Sequence, residues 1–417
     1  MALFDKSTDA FGAIKVKEFS FFLSFRFFVT IATLMQSVIV GWQMYELTHN
    51  PLDLGLIGLA EAIPAIGIAL FSGHIADKYD RKTVILISLL VFILGVFMLL
   101  ALSLGQFGLI HKLGVWPIFV VVGLGGFSRG FLYPSAMGLM AQIVPRSLYA
   151  NSATWNSVVW HVGAVTGPAI GGLIYGFFSV TTAYFGVLFF GLIALLMLIP
   201  IKKKMIIVSE KVETLKERLF TGLRFVFKNQ VMLGAMSLDM FAVLFGGAVA
   251  MLPVFAHDIL HVGPEGLGIL RASPAVGSIC MSLFLAYNPP LRNAGKALLI
   301  GVTGFGVCMV SFALSKNFYL SLTLLMFSGM FDNISVVIRQ TIMQLMTPDE
   351  VRGRVAAVNS IFIGSSNEIG SFESGLAASL MGLVPSVIFG GVMTLLVVSV
   401  TAVVAPVLRK LNLSNLK

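Results

Sequence analysis

The chain is 417 residues long, 57% apolar and only 11% charged, with 28 basic and 19 acidic side chains and a mean hydropathy of +0.95. Soluble domains carry about 25% charged residues, so these numbers exclude a water-soluble enzyme and leave a protein that crosses the bilayer many times. The apolar runs are continuous rather than alternating, which excludes a porin-type barrel and selects helices.

The first 18 residues lack a positive segment followed by an apolar stretch and a small-residue cleavage site, so no signal peptide is expected. Spans are expected at 19–44, 54–76, 83–104, 115–141, 150–176 and 180–200, then at 231–254, 266–287, 296–315, 319–346, 354–381 and 384–407. This pattern predicts an all-α polytopic membrane protein: twelve transmembrane helices in two pseudo-symmetric six-helix bundles, 1–200 and 231–417, joined by a linker over 201–230. The faintest boundary is 176–181, where Gly176 and Ser179 are almost the only turn signals, yet one run from 150 to 200 would be far too long for one crossing.

Span 1 carries Arg26 and span 2 carries Glu61, and any ionisable residue at membrane depth is costly and marks a site by default. The loop after span 2 reads Gly73-His-Ile-Ala-Asp77-Lys78-Tyr-Asp80-Arg81-Lys82. Gly73 permits close helix approach, Asp77 can cap or pair at the start of the next helix, and Arg81 and Lys82 can bind carboxylates or lipid phosphates. Such a cluster suits a latch in a gating cycle. Span 4 holds Arg129.

Span 5 places Gly163, Gly167 and Gly171 four residues apart, a smooth face for close packing, with Pro168 as a deformable point. It also holds His161, the only mid-membrane histidine, which either joins a proton relay or is a satisfied polar side chain. Trp155 and Trp160 in this span are placed to line a cavity, whereas Trp42 and Trp116 suit an aromatic belt at the outer rim.

The linker spaces Val212, Leu215, Leu219, Leu223 and Phe227 as one stripe of a helix on the inner membrane face. Beyond it, span 7 carries Asp239. His257 and His261 follow near Asp258, and Gly263 and Pro264 read as loop, so no metal site is expected there. Arg271 lies in span 8, Asp332 and Arg339 in span 10, and Glu368 and Glu373 in span 11. Cys280 and Cys308 lie inside spans, so no disulfide framework is expected.

With the N-terminus inside, 22 of the 28 basic residues fall in cytoplasmic segments, two (Lys112 and Lys316) fall outside and four lie in spans. The positive-inside rule then puts both termini and the linker in the cytoplasm of a cell inner (plasma) membrane protein. The clustering also argues against nucleic acid as a partner. A shift of 203 residues aligns Pro145 with Pro348, Asn156-Ser157 with Asn359-Ser360, Gly167 with Gly370 and Gly172 with Gly375. Duplicated halves with a site between them are a common transporter plan. The same shift sets Arg129 against Asp332, two groups able to pair in one state and separate in another.

Gly73, Asp77, Lys78, Arg81 and Lys82 resemble the signature loop of the major facilitator superfamily, Gly-x-x-x-Asp-Arg/Lys-x-Gly-Arg-Arg/Lys, with Asp80 where its second glycine is usual. The run from Gly163 to Gly172 resembles the glycine–proline motif of that superfamily's drug and metabolite exporters. Thr347 to Arg354 resembles the equivalent loop after span 10, and Asn367 to Gly375 resembles the enterobactin and macrolide efflux branch. In the second half, Asn288 to Asn293 occupies the matching loop without its aspartate, so a symmetric latch is not expected.

The resemblance implies a secondary active transporter working by alternating access. The leading reading is proton-coupled efflux of an amphipathic drug, siderophore or metabolite by a monomer, with protons and membrane lipids as further partners. Glu368 is the proposed proton carrier. No cofactor is expected, since neither a Walker loop nor a dinucleotide motif appears. An importer of a small polar metabolite and a non-transporting receptor or lipid-handling protein are the rival readings.

Overall fold

A computed structural model of the chain describes residues 9, 11–104, 114–204 and 215–416. The side chains of 69–74, 76–78, 215–220, 349–350, 352–353, 357 and 415–416 lie outside the described set. The long helices are α1 (Lys17–Thr48), α2 (Pro51–Lys78), α3 (Arg81–Ser103), α4 (Trp116–Ile143), α5 (Tyr149–Phe177) and α6 (Val180–Leu198), followed by α7 (Leu215–Lys228). Then come α8 (Gln230–Phe245), α9 (Pro264–Tyr287), α10 (Ala294–Leu314), α11 (Phe318–Met346), α12 (Asp349–Met381) and α13 (Leu383–Val404).

Helix ends follow from short polar side chains that satisfy the first free N–H groups. Ser179 accepts from Thr182 N at 3.1 Å, so the faint boundary between spans 5 and 6 is a capped break. Asn229 accepts from Val231 N and Met232 N at 3.2 and 3.1 Å, and Asn317 from Leu320 N at 3.1 Å. Gly382, at φ 88°, makes the left-handed turn between α12 and α13 that a β-carbon would oppose.

Eleven helices among the described residues are long and apolar enough to cross a membrane, counting Gln230–Ile259 as one. A twelfth crossing requires α12, at 33 residues the most polar of the long helices after α7. Past Phe245 the chain stays helical but changes pitch: a 3-10 turn at Gly247–Met251, a short α turn at Leu252–Val254 and a π turn at Phe255–Ile259. Pro253 removes a backbone donor there, a standard cause of such a break. His257 sits in the π turn, the loop begins only near His261, and Pro264, expected in the loop, is instead the first residue of α9.

Two compact units form, Met1–Val40 with Ile63–Glu210, and Gly41–Ala62 with Lys211–Lys417. In the first, α3 packs on α4 and α6, and α5 on α6. The second repeats the scheme, with α10 on α11 and α13, and α12 on α13. In the first unit the lead-in is tied to α5 by Ala13 N, which donates to Asn151 Oδ1 at 3.0 Å. Within that lead-in, the Lys15 ammonium and the Phe11 N–H hold the Asp9 carboxyl below its usual range.

The expected linker stripe falls only partly within the described residues. Val212 and the side chains of Leu215 and Leu219 lie outside the described residues, and Phe227 is 59% exposed. The fully buried residue is Val226, which joins an apolar cluster with Met232, Val355 and Val358. A β-carbon on Gly222 would stand 2.7 Å from the Arg354 carbonyl oxygen, so α7 lies directly against α12.

Candidate functional site

In the first unit, the start of α3 is tied to its neighbours by the basic pair of the motif. Arg81 Nη1 donates to the Gly138 carbonyl at 2.7 Å, and Lys82 Nζ to the Ile199 carbonyl at 2.8 Å. Both cations sit near helix C-termini, where free carbonyls and the helix dipole favour them. Backbone carbonyls of α4 and the α6 end are thus among the partners of this pair, and Arg81 is engaged with a further group as well. Asp80 is the cap of α3: Oδ2 accepts from Thr83 N at 2.9 Å and from Thr83 Oγ1 at 2.7 Å. Asp80, standing where the motif's second glycine is usual, thus caps α3, while the cap-or-pair role expected of Asp77 falls on a side chain outside the described set. Gly73, Asp77 and Lys78 lie in the last turns of α2, with side chains outside the described set.

The glycine face of α5 meets α1. A β-carbon on Gly163 would lie 2.7 Å from Thr30 Cγ2, on Gly167 3.0 Å from the Ile31 oxygen, and on Gly171 2.9 Å from Met35 Cγ. Pro168 is buried beside them in an unbroken helix. Farther along α1, Arg26 is 5% exposed. Its Nε donates to Asn156 Oδ1 of α5 at 3.2 Å, and its guanidinium lies 5.2 Å from the Tyr133 ring of α4. Arg26 Nη1 has no hydrogen-bond partner among the described residues, nor does His161 Nδ1. His161 is half-buried, with its ring edge-on to Trp160 at 5.1 Å. Arg129, also half-buried, is engaged with a neighbouring group.

In the second unit, the first turns of α2 meet α12. A β-carbon on Gly55 would lie 3.1 Å from Gly375 Cα, and one on Gly58 2.9 Å from Ser371 Cβ and 3.7 Å from Glu368 Oε2. Glu368 is half-buried there and interacts electrostatically with Arg271 of α9. Arg271 Nη1 in turn reaches to 4.0 Å from where a β-carbon on Gly41 would stand. Glu61 lies one turn on from Gly58, on the same helix face, and is itself engaged. Farther along α12, a β-carbon on Gly370 would lie 2.8 Å from the Leu244 oxygen of α8. Gly370 thus serves the α12–α8 contact as Gly167 serves the α5–α1 contact, in keeping with the 203-residue shift.

Asp239 of α8 forms a buried ion pair with Arg339 of α11 and accepts from Ser335 Oγ at 3.3 Å. Asp332, half-buried, lies two turns earlier on α11. Arg129 and Asp332 belong to different units. A further polar cluster joins Gly41–Ala62 to the π turn: Tyr45 donates to Asp258, whose other oxygen lies 2.6 Å from His257 Nδ1. Trp42, expected at the rim, is instead 6% exposed with its ring 5.8 Å from that of His257. Trp116 is 73% exposed, as a rim residue would be. No group of three or more metal-ligating side chains forms among the described residues.

Sequence reasoning noted Arg271 and Arg339 as embedded charges but left both unpartnered. The pairs span about 100 residues, and no local spacing announces them.

Residues 21–370 match the family model described as Major Facilitator Superfamily. The chain is 26% identical over 392 residues to the multidrug efflux pump Tap of Mycolicibacterium fortuitum, covering 90% of this chain and 93% of that protein. It is 25% identical over 338 residues to the quinolone resistance protein NorA of Staphylococcus aureus (strain MSSA476), covering 78% and 80% respectively. The crystal structure of a D-xylose–proton symporter superposes with a TM-score of 0.70 at 14% identity, covering 94% of this chain and 97% of that one, a likeness of fold alone.

Proposed function

The chain belongs to the Major Facilitator Superfamily, and from that premise we propose that it is a proton-coupled exporter of amphipathic compounds. It is a multi-pass membrane protein with efflux pumps among its relatives. The proposal adds direction, coupling ion and the residues that carry them. Six-helix halves, 1–200 and 231–417, alternate access about a substrate path, with both termini and the 201–230 linker cytoplasmic.

The observation that carries the reading is Glu368 beside Arg271 at the close approach of α12 to the Gly55–Gly58 stretch. An ionised carboxylate at membrane depth is tolerable only with a partner or a proton. A proton on Glu368 cancels its hold on Arg271; loss of that proton restores it. Substrate that competes for the deprotonated form then exchanges against protons, as antiport requires. Asp332, Glu61, Asp239, Arg129, Arg26 and His161 furnish the remaining polar groups of the path. Gly73, Asp77, Lys78, Arg81 and Lys82 form the cytoplasmic latch, and Gly163, Gly167, Pro168 and Gly171 the contact on which α5 rocks. The names of the relatives Tap and NorA support an amphipathic, drug-like cargo.

The test is transport in proteoliposomes under an imposed pH gradient, with ethidium, a catecholate siderophore and a small metal ion followed in parallel. Efflux of at least one organic probe with counterflow of protons is expected, and Glu368→Gln should abolish the coupling while leaving the protein folded. The absence of substrate-dependent proton movement across the panel would remove the antiport reading. Proton-driven uptake in place of efflux would convert it to an importer.

A further inference from the structure

Arg26 is a membrane-embedded charge whose partners among the described residues are neutral. It sits roughly 13 Å along the α1 axis from Lys17 and is 5% exposed. Its neighbours are an amide oxygen, Asn156 Oδ1 at 3.2 Å, and the face of the Tyr133 ring at 5.2 Å. Nη1 has no hydrogen-bond partner among the described residues. The sequence of this unit supplies no carboxylate at that depth: the stretches 19–40, 63–76, 81–103, 116–143, 149–177 and 180–198 contain no Asp or Glu. Glu18, at the start of α1, is committed to Lys204. A second cation, Arg129, lies one turn from Tyr133 on the same face of α4.

A buried guanidinium without a counter-charge is among the most expensive groups a membrane helix can hold. Structural packing at this position would be served by any long apolar side chain. A guanidinium offers only donors, and its fork matches an oxyanion. We propose that Arg26, held by Asn156 and floored by Tyr133, is an oxyanion-binding subsite of the first unit, and that its ligand is the carboxylate of an amphipathic compound. The same chemistry would accept an anionic lipid phosphate. That the ligand is cargo rests on the exporter reading above; that it binds here does not.

Equilibrium binding to the full chain in phosphatidylcholine nanodiscs separates these possibilities. The probe is dansyl-labelled undecanoate, read by energy transfer from Trp155 and Trp160 on α5, against its neutral methyl ester. The carboxylate should bind at least tenfold more tightly than the ester, a preference one charge-assisted hydrogen bond can supply. Arg26→Gln should cut the preference to about twofold or less, and Arg146→Gln should leave it intact. Where Arg26→Gln fails to fold, Arg26→Lys takes its place: it keeps the charge, loses the fork, and should lower the preference several-fold.

Equal binding of acid and ester by the wild-type chain overturns the proposal. So does a preference unchanged in the folded Arg26 variant. Repeating the titration with about a quarter phosphatidylglycerol distinguishes the sources. Competition seen in the wild-type chain and lost in Arg26→Gln overturns the assignment to cargo in favour of lipid; no competition supports cargo. A chain that shows the carboxylate preference but no proton-driven efflux would refute the exporter reading and leave the subsite standing.

Discussion

Replacing Gly167 by alanine tests whether the α1–α5 contact depends on the missing side chain. The added β-carbon would stand 3.0 Å from the Ile31 oxygen, 3.2 Å from Leu34 Cβ and 3.3 Å from Ile31 Cα. Two of those three atoms are backbone, so no rotamer change relieves them; α1 itself must move. Overpacking of this kind costs about 1–3 kcal/mol, while alanine in place of glycine returns about 1 kcal/mol of helix propensity. The net expectation is a loss of about 1 kcal/mol. Gly125 of α4 is the control, because a β-carbon there meets nothing within 4 Å; Gly125→Ala should gain up to about 1 kcal/mol. The two variants should therefore differ by about 2 kcal/mol, or roughly 4–8 °C in Tm at 2–4 °C per kcal/mol for a unit of this size. Thermal unfolding followed by tryptophan fluorescence, with Trp155 and Trp160 on α5 itself, reads the difference. Equal midpoints for the two variants would refute the packing argument.

Three further outcomes are expected. Asp239→Asn strands Arg339 in the interior and should destabilise by about 3–5 kcal/mol, while the double variant with Arg339→Gln recovers part of that loss; additive effects in a double-mutant cycle measured by thermal unfolding would show the two not to be coupled. Asp80→Ala removes the α3 cap at a cost of about 1 kcal/mol, whereas Asp80→Ser should stay within a few tenths, and identical midpoints for Ala and Ser would dismiss the capping role. A cysteine at Lys216, in a chain whose Cys280 and Cys308 are replaced by serine, should react with a membrane-impermeant maleimide only from the cytoplasmic side; labelling of intact cells from outside would reverse the orientation.

The helical architecture was legible because it rests on local signals: continuous apolar runs, short polar caps and the four-residue glycine spacing of span 5. The close approach of α5 to α1 could be foreseen as a property of the face, although nothing in the sequence named Thr30, Ile31 and Met35 as what it meets. Polar partnerships were less readable, since they join residues far apart in the chain. Asp239 and Arg339 are 100 positions apart, and Glu368 and Arg271 are 97. The α3 cap had a local signal: Asp80 immediately precedes the first helical residue of α3, where an N-cap belongs. The contact of α7 with α12 had no such signal: it is made at Gly222 and Val226, where α7 needs a small residue to reach the α12 backbone, while Phe227 on the expected membrane-facing stripe is exposed.

The embedded charges differ in how tightly the fold holds them, and the proposed transport role rests on that difference. Asp239 is 5% exposed and Arg339 4%, and a serine hydroxyl bonds the carboxylate as well. A proton on Asp239 would leave Arg339 charged and buried without its partner, so the pair resists repeated cycling and suits a structural tie between α8 and α11. Glu368 differs on each count. It is half-buried, and its carboxylate borders a glycine at which two helices come within van der Waals contact. A small displacement of the Gly55–Gly58 stretch relative to α12 changes the surroundings of that carboxylate directly. The proposed proton site therefore rests on a carboxylate whose surroundings the helix packing can alter. That is why Glu368→Gln should uncouple transport while leaving the fold intact, and Asp239→Asn should damage the fold first.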